Sequence, residues 1–204
     1  MPFRTGALTI RRYSVLSEIP ASLPQTATLA IRRYTFRAID DARGEKESFG
    51  WVNPRSLLDN RIAYDDIVDG PYLLLGTRRD RKNFSKVLFR ARRDDMIEEV
   101  KKEKKLTKIS RQQRIALEEQ LTVEMLRETS AVSSFAELVW DMNSNVVLMG
   151  AASNALCERI QEVFEATFDL KLRPIYPALI GADYIAAQGL EEEFHLASAA
   201  AGKK

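Results

Sequence analysis

The sequence contains very little of the chemistry on which metal centres and disulfide frameworks depend. It has a single cysteine, Cys157, and a single histidine, His195. One cysteine excludes an intramolecular disulfide and is typical of a reducing cytoplasm, and the two residues together cannot form a Cys/His zinc site. Cys157 lies in an apolar helical pattern and is expected to be buried. We predict no cofactor, although an all-carboxylate Mg²⁺ site stays open at this point.

Long apolar runs and nucleotide-binding loops are also missing. No run approaches the roughly 18 apolar residues that span a membrane, and residues 1–6 lack the pattern of a signal peptide. There is no glycine-rich phosphate loop, so nothing favours an ATP-driven role. The 204 residues, of which 45% are hydrophobic and 29% charged, are enough to bury a core. These features predict a cytoplasmic protein without membrane contact.

What the sequence does contain is a concentrated basic stretch, residues 78–114. It holds 15 of the 31 lysines and arginines but only six acids, which gives a net charge of +9. The rest of the chain has 16 basic and 23 acidic residues, a net charge of −7, so the total of +2 conceals a strongly polarised molecule. Such a field attracts polyanions, and we predict that the stretch binds nucleic acid.

The predicted contacts are with phosphates. No helix-turn-helix, zinc finger or aromatic RNA-binding platform accompanies the cations, so base reading is not expected. Phe84 and Phe89 are the aromatic residues of the stretch; we expect them to pack in a core, with stacking on single strands as the second choice. The candidate DNA-binding residues are Arg78, Arg79, Arg81, Lys82, Lys86, Arg90, Arg93, Lys101, Lys102, Lys104, Lys105, Lys108, Arg111 and Arg114.

Two other interpretations of the charged residues stay open. The basic stretch could be a solvated helical face with internal ion pairs, such as Glu98 or Glu99 with Lys102. The acids could instead form the Mg²⁺ site of a nuclease, for which several carboxylates must converge. Neither acidic group has a recognisable nuclease spacing, so we predict no metal site and no enzyme activity. The two groups are Asp65, Asp66 and Asp69, and Asp94, Asp95, Glu98 and Glu99.

Hydrophobic periodicity and turn signals predict an α+β fold. Strands are predicted at residues 7–15, 47–52, 72–77, 136–141, 146–150 and 170–175, and helices at 22–34, 85–104, 110–130 and from 153. The order is two antiparallel sheet-forming halves, βαββ and ββαβ, with a charged helical hairpin inserted between them. The predicted units are residues 1–84, the hairpin at 85–130, residues 131–180 and a flexible tail at 181–204.

Several short motifs occur in an order that resembles one protein family. The Gly50-Trp51-Val52 strand precedes the basic segment and its helical pair. The Val139-Trp140-Asp141 hairpin and a further helix and strand follow. This arrangement, over most of the chain, resembles the RdgC family of bacterial recombination-associated DNA-binding proteins. Usual members continue beyond the point at which this sequence ends, so the chain looks like a short member that lacks the C-terminal extension.

The resemblance implies a non-sequence-specific protein that binds double-stranded DNA, modulates homologous recombination and is nucleoid-associated. Family members look like homodimers that close into a ring and restrain the recombinase, so the recombinase filament is a further candidate partner. Ring closure is in doubt for a chain without the extension. The family has also carried an exonuclease label, which keeps a metal-dependent exonuclease as one alternative. An adaptor that docks an acidic protein is the other.

Overall fold

A seven-stranded antiparallel sheet organises residues 9–190, the part of the chain that the computed structural model describes. The strands are β1 (Arg11–Val15), β2 (Glu47–Val52), β3 (Val68–Asp69), β4 (Tyr72–Arg81), β5 (Val132–Asp141), β6 (Val146–Met149) and β7 (Leu172–Ile175). The helices are α1 (Leu23–Arg33), α2 (Tyr64–Ile67), α3 (Lys86–Glu103), α4 (Arg111–Glu128), α5 (Asn154–Phe168) and α6 (Pro177–Gln188). Within residues 9–190, no helix is both long and apolar enough to cross a bilayer.

The sheet confirms the α+β prediction and shows how its two halves join. Its order is β2-β4-β5-β6-β1-β7, with the short β3 paired to β4. The N-terminal β1 pairs with both β6 and β7, so the two predicted halves contribute to one sheet. Strands β4 and β5 pair from Tyr72 with Asp141 to Arg81 with Val132, and the predicted helical hairpin α3–α4 connects them.

One face of the sheet carries the main hydrophobic core. Because side chains alternate along a strand, Leu73 and Leu75 of β4 share a face with the opposite Trp140 of β5. Helices α1 and α5 cover this face, and the ring of Phe164 lies edge-on to that of Trp140 with a centroid distance of 5.1 Å. Cys157 of α5 is buried here, as predicted.

The Gly50-Trp51-Val52 motif is structural. A Cβ atom at position 50 would lie 2.5 Å from the backbone nitrogen of Phe36, because the chain after α1 runs beside β2 and forms a parallel bridge between Thr35 and Trp51. The indole of Trp51 is fully buried and donates a hydrogen bond of 2.8 Å to Thr167 Oγ1 of α5. The motif therefore fixes the outer strand against α5, and its tryptophan is not available to stack on a base.

Some boundaries differ from those predicted. Strand β4 continues to Arg81, beyond the predicted end at 77, and β5 begins at Val132, because the polar residues of the two strands pair across the sheet. Residues 181–188, predicted to belong to a flexible tail, are part of α6, which ends at Gly189 in the left-handed conformation with φ of 68°. The rest of the predicted tail, including His195, lies outside the described residues, as do the first two residues of the first predicted strand.

Candidate nucleic-acid interface

Helices α3 and α4 form an antiparallel hairpin with a small core of its own. Ile97 of α3 is buried with Leu121, Met125 and Leu126 of α4, apart from the main core. Ser110 caps α4 in a capping box, as the sequence predicted. Its hydroxyl accepts a hydrogen bond from Gln113 N, and its own backbone N–H donates one to Gln113 Oε1. The buried residues lie near the sheet end of α4, and no residue between 102 and 114, at the far end of the hairpin, is buried.

The cations on β4 are occupied by acids of the sheet. Arg78 donates two hydrogen bonds to Asp80, of 2.8 and 2.7 Å, and lies 4.5 Å from the ring centroid of Phe36. Burial would raise the pKa of Asp80, but hydrogen bonds from Arg78 and Ser133 outweigh this effect and hold that pKa below its usual value. The charge of Arg78 is therefore engaged within the sheet and is not available to bind a phosphate.

Arg79 and Arg81 share one carboxylate. The guanidinium of Arg79 lies 2.8 Å from Glu47 Oε2 on the neighbouring strand, and that of Arg81 lies 3.4 Å from the same oxygen. Arg79 is mostly buried, with 19% of its side chain exposed, whereas 49% of the Arg81 side chain is exposed. Of this pair, Arg81 alone can reach an external anion.

Lys82 ties the base of the hairpin to the sheet. Its ammonium lies 2.7 Å from each carboxylate oxygen of Asp41 and 2.8 Å from the carbonyl oxygen of Leu126, in the last turn of α4. A cation is favourable there because the carbonyls of a helix C-terminus carry partial negative charge. With 11% of its side chain exposed, Lys82 is a structural residue.

The lower half of the hairpin contains paired arginines. Arg93 of α3 contacts Asp94 at 2.8 Å and Glu118 of α4 at 3.6 Å, and Arg92 contacts Glu128 at 2.7 Å. The contacts with Glu118 and Glu128 cross between the helices and hold them side by side. The ion pairing expected from a solvated helical face is thus present here.

Further along α3, the predicted pairs with Lys102 are absent from the described structure. Glu98 instead binds Lys101, three residues away, at 2.8 Å. Both i,i+3 and i,i+4 spacings place side chains on the same helix face, so the choice between the two lysines depends on their rotamers. Lys102 consequently stays exposed.

Eight of the fourteen candidate residues are exposed and form no ion pair with any residue between 9 and 190. Six of them lie at or beside the turn between α3 and α4, residues 102–114, which we call the hairpin tip. The other two, Lys86 and Arg90, lie in the first turns of α3. The six in the hairpin tip are Lys102, Lys104, Lys105, Lys108, Arg111 and Arg114.

Phe84 and Phe89 do not pack in the main core, contrary to the sequence-based expectation. Their rings stack on each other with a centroid distance of 5.5 Å, and both side chains are half-buried. The ammonium of Lys46 lies 5.3 Å from the Phe84 centroid. Sequence reasoning missed Lys46, which stands between Glu45 and Glu47 and outside the basic stretch. A local charge count therefore could not identify it.

The aromatic pair borders a cavity of about 470 Å³ at the base of the hairpin. Its wall includes Lys46, Lys86, Arg90 and Arg93, and its one acid is Glu118, which Arg93 engages. We call this space the basal cavity. It combines apolar ring surface with positive charge, whereas the hairpin tip has positive charge but no aromatic ring.

The acidic clusters are used within the fold. Asp66 accepts hydrogen bonds from the Asn53 side chain and from the Ala63 backbone, while Asp94 and Glu98 bind cations of α3. Across residues 9–190, the structure contains no group of three or more histidine, cysteine, aspartate or glutamate side chains that could hold a metal ion.

Comparison with known proteins gives one result that covers most of the chain. The sequence model of the family described as "Putative exonuclease, RdgC" matches residues 19–200. The match includes the hairpin and strands β2 to β7. No curated protein matches the sequence significantly.

Proposed function

Because the chain belongs to the RdgC family, we propose that it binds double-stranded DNA through the phosphates, without sequence specificity, by means of the hairpin tip. The observation that carries this proposal is the set of six exposed cations there, which no acid of the described structure neutralises. Lysine and arginine side chains that bind phosphates release condensed counterions, and this release supplies most of the affinity of non-specific DNA binding.

The charge of the rest of the sequence also favours binding of DNA at the hairpin tip. Outside residues 78–114 the net charge is −7, so the rest of the chain repels a polyanion while residues 78–114 attract it. Six acid-paired candidates lie outside the hairpin tip and are left out of the proposed contact surface: Arg78, Arg79, Arg81, Lys82, Arg93 and Lys101. Family membership further supports a role in recombination at the nucleoid, in a homodimer and beside the recombinase filament. We propose no chemistry.

A salt titration tests the proposal directly. Affinity for two unrelated duplexes should be equal, and it should fall with salt along a log–log slope near −4.5 if about five phosphates are contacted. Between 50 and 200 mM salt, binding should weaken on the order of several hundred-fold. A slope near zero, or a strong preference for one duplex, would contradict phosphate binding.

Charge reversal at the hairpin tip locates the contact. Changing Lys102, Lys104, Lys105 and Lys108 to glutamate should abolish measurable duplex binding and leave the thermal midpoint almost unchanged, because exposed substitutions usually alter stability by about 0.5 kcal/mol or less each. The matched control reverses four exposed arginines elsewhere and so changes the net charge equally. Equal loss of binding in both variants would assign the affinity to the overall field instead of the tip. The control arginines are Arg12, Arg32, Arg33 and Arg37.

A further inference from the structure

The basal cavity has a chemistry that duplex binding does not require. Phosphates of a duplex are recognised by charge alone, and its base faces are covered by stacking on neighbouring pairs. The wall of this cavity nevertheless contains the stacked rings of Phe84 and Phe89, which the main core does not bury. A planar apolar surface next to cations is suited to a group that has both a flat face and a negative charge.

The first turns of α3 present these groups together. Lys86, Phe89, Arg90 and Arg93 follow the spacing i, i+3, i+4 and i+7, which places them on one face of the helix. Across the cavity, Lys46 arrives from the start of β2 and lies over Phe84. Sheet and hairpin therefore both contribute, and the cavity exists only when the hairpin is docked.

Three of the cations in the cavity wall are not engaged by acids of the described structure. Arg93 is engaged by Asp94 and Glu118. Lys46, Lys86 and Arg90 are exposed and form no ion pair within the described residues. The cavity therefore offers three available cations beside two aromatic rings. Its volume of about 470 Å³ lies within the usual size range of small-ligand sites.

We propose that the basal cavity holds one unpaired nucleotide of a DNA strand, with the base against Phe89 and the phosphate between Lys86 and Arg90. This rests on the proposed duplex binding at the hairpin tip. Arg90 and Lys102 are twelve residues apart on α3, which corresponds to about 18 Å along the helix. One duplex strand advances about 3.4 Å per base, so roughly five base steps separate the two sites. The preferred ligand is a duplex that ends in a short single-stranded overhang.

The test compares three DNA molecules that share one duplex: a blunt form, a form with a two-nucleotide 3′ overhang, and the same overhang with abasic sites. The abasic form keeps the additional phosphates and lacks the bases. The overhang should bind on the order of tenfold more tightly than the other two forms, because base–aromatic stacking supplies the difference. Equal affinity for the normal and abasic overhangs would overturn the proposal.

Two protein variants assign the effect to the cavity. Phe89→Leu keeps an apolar side chain without an aromatic face, and it should remove the overhang preference while blunt-duplex affinity stays unchanged. Phe135→Leu, at an exposed aromatic residue on β5, is the matched control and should keep the preference. Should Phe89→Leu lower the thermal midpoint, the exposed double variant Lys86→Gln/Arg90→Gln tests the phosphate contact instead, and it should weaken binding of the normal overhang more than binding of the blunt duplex. A preference that survives these changes would refute the assignment.

Two further outcomes separate this proposal from its premise. If the protein fails to bind any blunt duplex, the proposed function fails. The affinities for a ten-nucleotide single strand and for its abasic counterpart are then compared, and tighter binding of the normal strand would still support the nucleotide site in the basal cavity. If free deoxyadenosine monophosphate displaces the overhang as well as an equal concentration of overhang DNA does, the cavity binds a soluble nucleotide. That result would overturn the assignment to a DNA strand.

Discussion

At the scale of single residues, an acid within reach decides whether a cation of the basic stretch is available. Arg78 and Lys102 count equally in a charge tally, yet Arg78 is held by Asp80 at 2.7 Å and Lys102 forms no ion pair in the described structure. Sequence distance does not reveal this difference, because the acids that bind Arg79 and Lys82 stand more than thirty positions away. The predicted site residues could therefore be found as a group by composition but not sorted by role.

The Arg78–Asp80 pair predicts a dependence of stability on pH. The pKa of Asp80 is lowered in the folded protein, so its stabilising contribution is fully present above the unfolded pKa of about 3.9 and is lost as the pH falls through the folded value. Asp80→Asn should lower the free energy of unfolding at pH 7 by about 1–3 kcal/mol, since it weakens the partner of the mostly buried Arg78. Asp80→Asn should also make the free energy of unfolding decline less steeply below pH 4. Urea unfolding between pH 2 and 7 measures both, with the exposed Asp95→Asn as the control; a steep acid decline that persists in Asp80→Asn would count against this account.

Gly50 gives a second prediction at this scale. A methyl group at position 50 would lie 2.5 Å from Phe36 N and 2.8 Å from the Tyr34 carbonyl oxygen, and backbone atoms cannot move aside as a flexible side chain can. Gly50→Ala should therefore destabilise the protein by about 1–3 kcal/mol or more. Gly181→Ala in α6 is the matched control, because no heavy atom lies within 4 Å of the added carbon. Thermal unfolding compares the two, and similar midpoints would contradict the close packing of residues 34–36 against Gly50.

At the scale of elements, the position of the hairpin on the sheet depends on a few polar contacts. Leu126 contributes both to the small hairpin core and, through its carbonyl, to the contact with Lys82. Asp41 completes this contact from the loop before β2. The basal cavity lies between the same elements, so Lys82 also fixes the geometry of its wall.

Lys82→Met tests this attachment. Methionine keeps the aliphatic length but leaves Asp41 and the Leu126 carbonyl without their shared cation, so the free energy of unfolding should fall by about 1–3 kcal/mol. Lys108→Met, at the exposed tip, should change it by about 0.5 kcal/mol or less. Denaturant titration gives both values. Blunt-duplex affinity should fall more in Lys108→Met than in Lys82→Met, and the reverse order would place the DNA contact at the base.

The elements differ in how far their sequences predicted them. The paired helices of the hairpin followed from the Ser110 capping box and apolar spacing, which are local signals. Strand β4 was predicted to end where its apolar run ends, but Arg79 and Arg81 extend it because Glu47 lies opposite on β2. The contact of Lys46 with the Phe84 ring likewise joins residues that are far apart in the sequence. Features that depend on residues within one turn or one strand could be predicted from the sequence. Features that depend on tertiary contacts could not.

At the scale of the whole molecule, charge is segregated along the chain and in space. Residues 78–114, which include the hairpin tip, carry a net charge of +9, and the rest of the sequence carries −7. This polarity gives a long-range preference for approach of DNA to the tip, and it weakens as salt shortens the Debye length to about 8 Å at physiological ionic strength.

The family description also raises the question of DNA cleavage, for which we predict a negative result. In the described structure, Asp66 and Glu98 have hydrogen-bonding partners within the fold, and the acidic clusters do not converge on a common point. End-labelled duplex incubated with the protein and Mg²⁺ or Mn²⁺ should stay intact. Nucleotide release that disappears in Asp65→Ala or Asp95→Ala would show that the prediction is wrong.

The pairing of Arg81 with Val132 also sets an order for folding. Closing a long loop carries an entropic cost that local structure reduces, and helices form on a microsecond scale. Once α3 and α4 have paired, the ends of β4 and β5 are held near each other, and every further pair towards Tyr72 and Asp141 joins residues only slightly more distant in sequence. The hairpin then acts as the nucleus of a zipper, and in stopped-flow refolding the helical signal should appear before the tryptophan signal of the closed sheet.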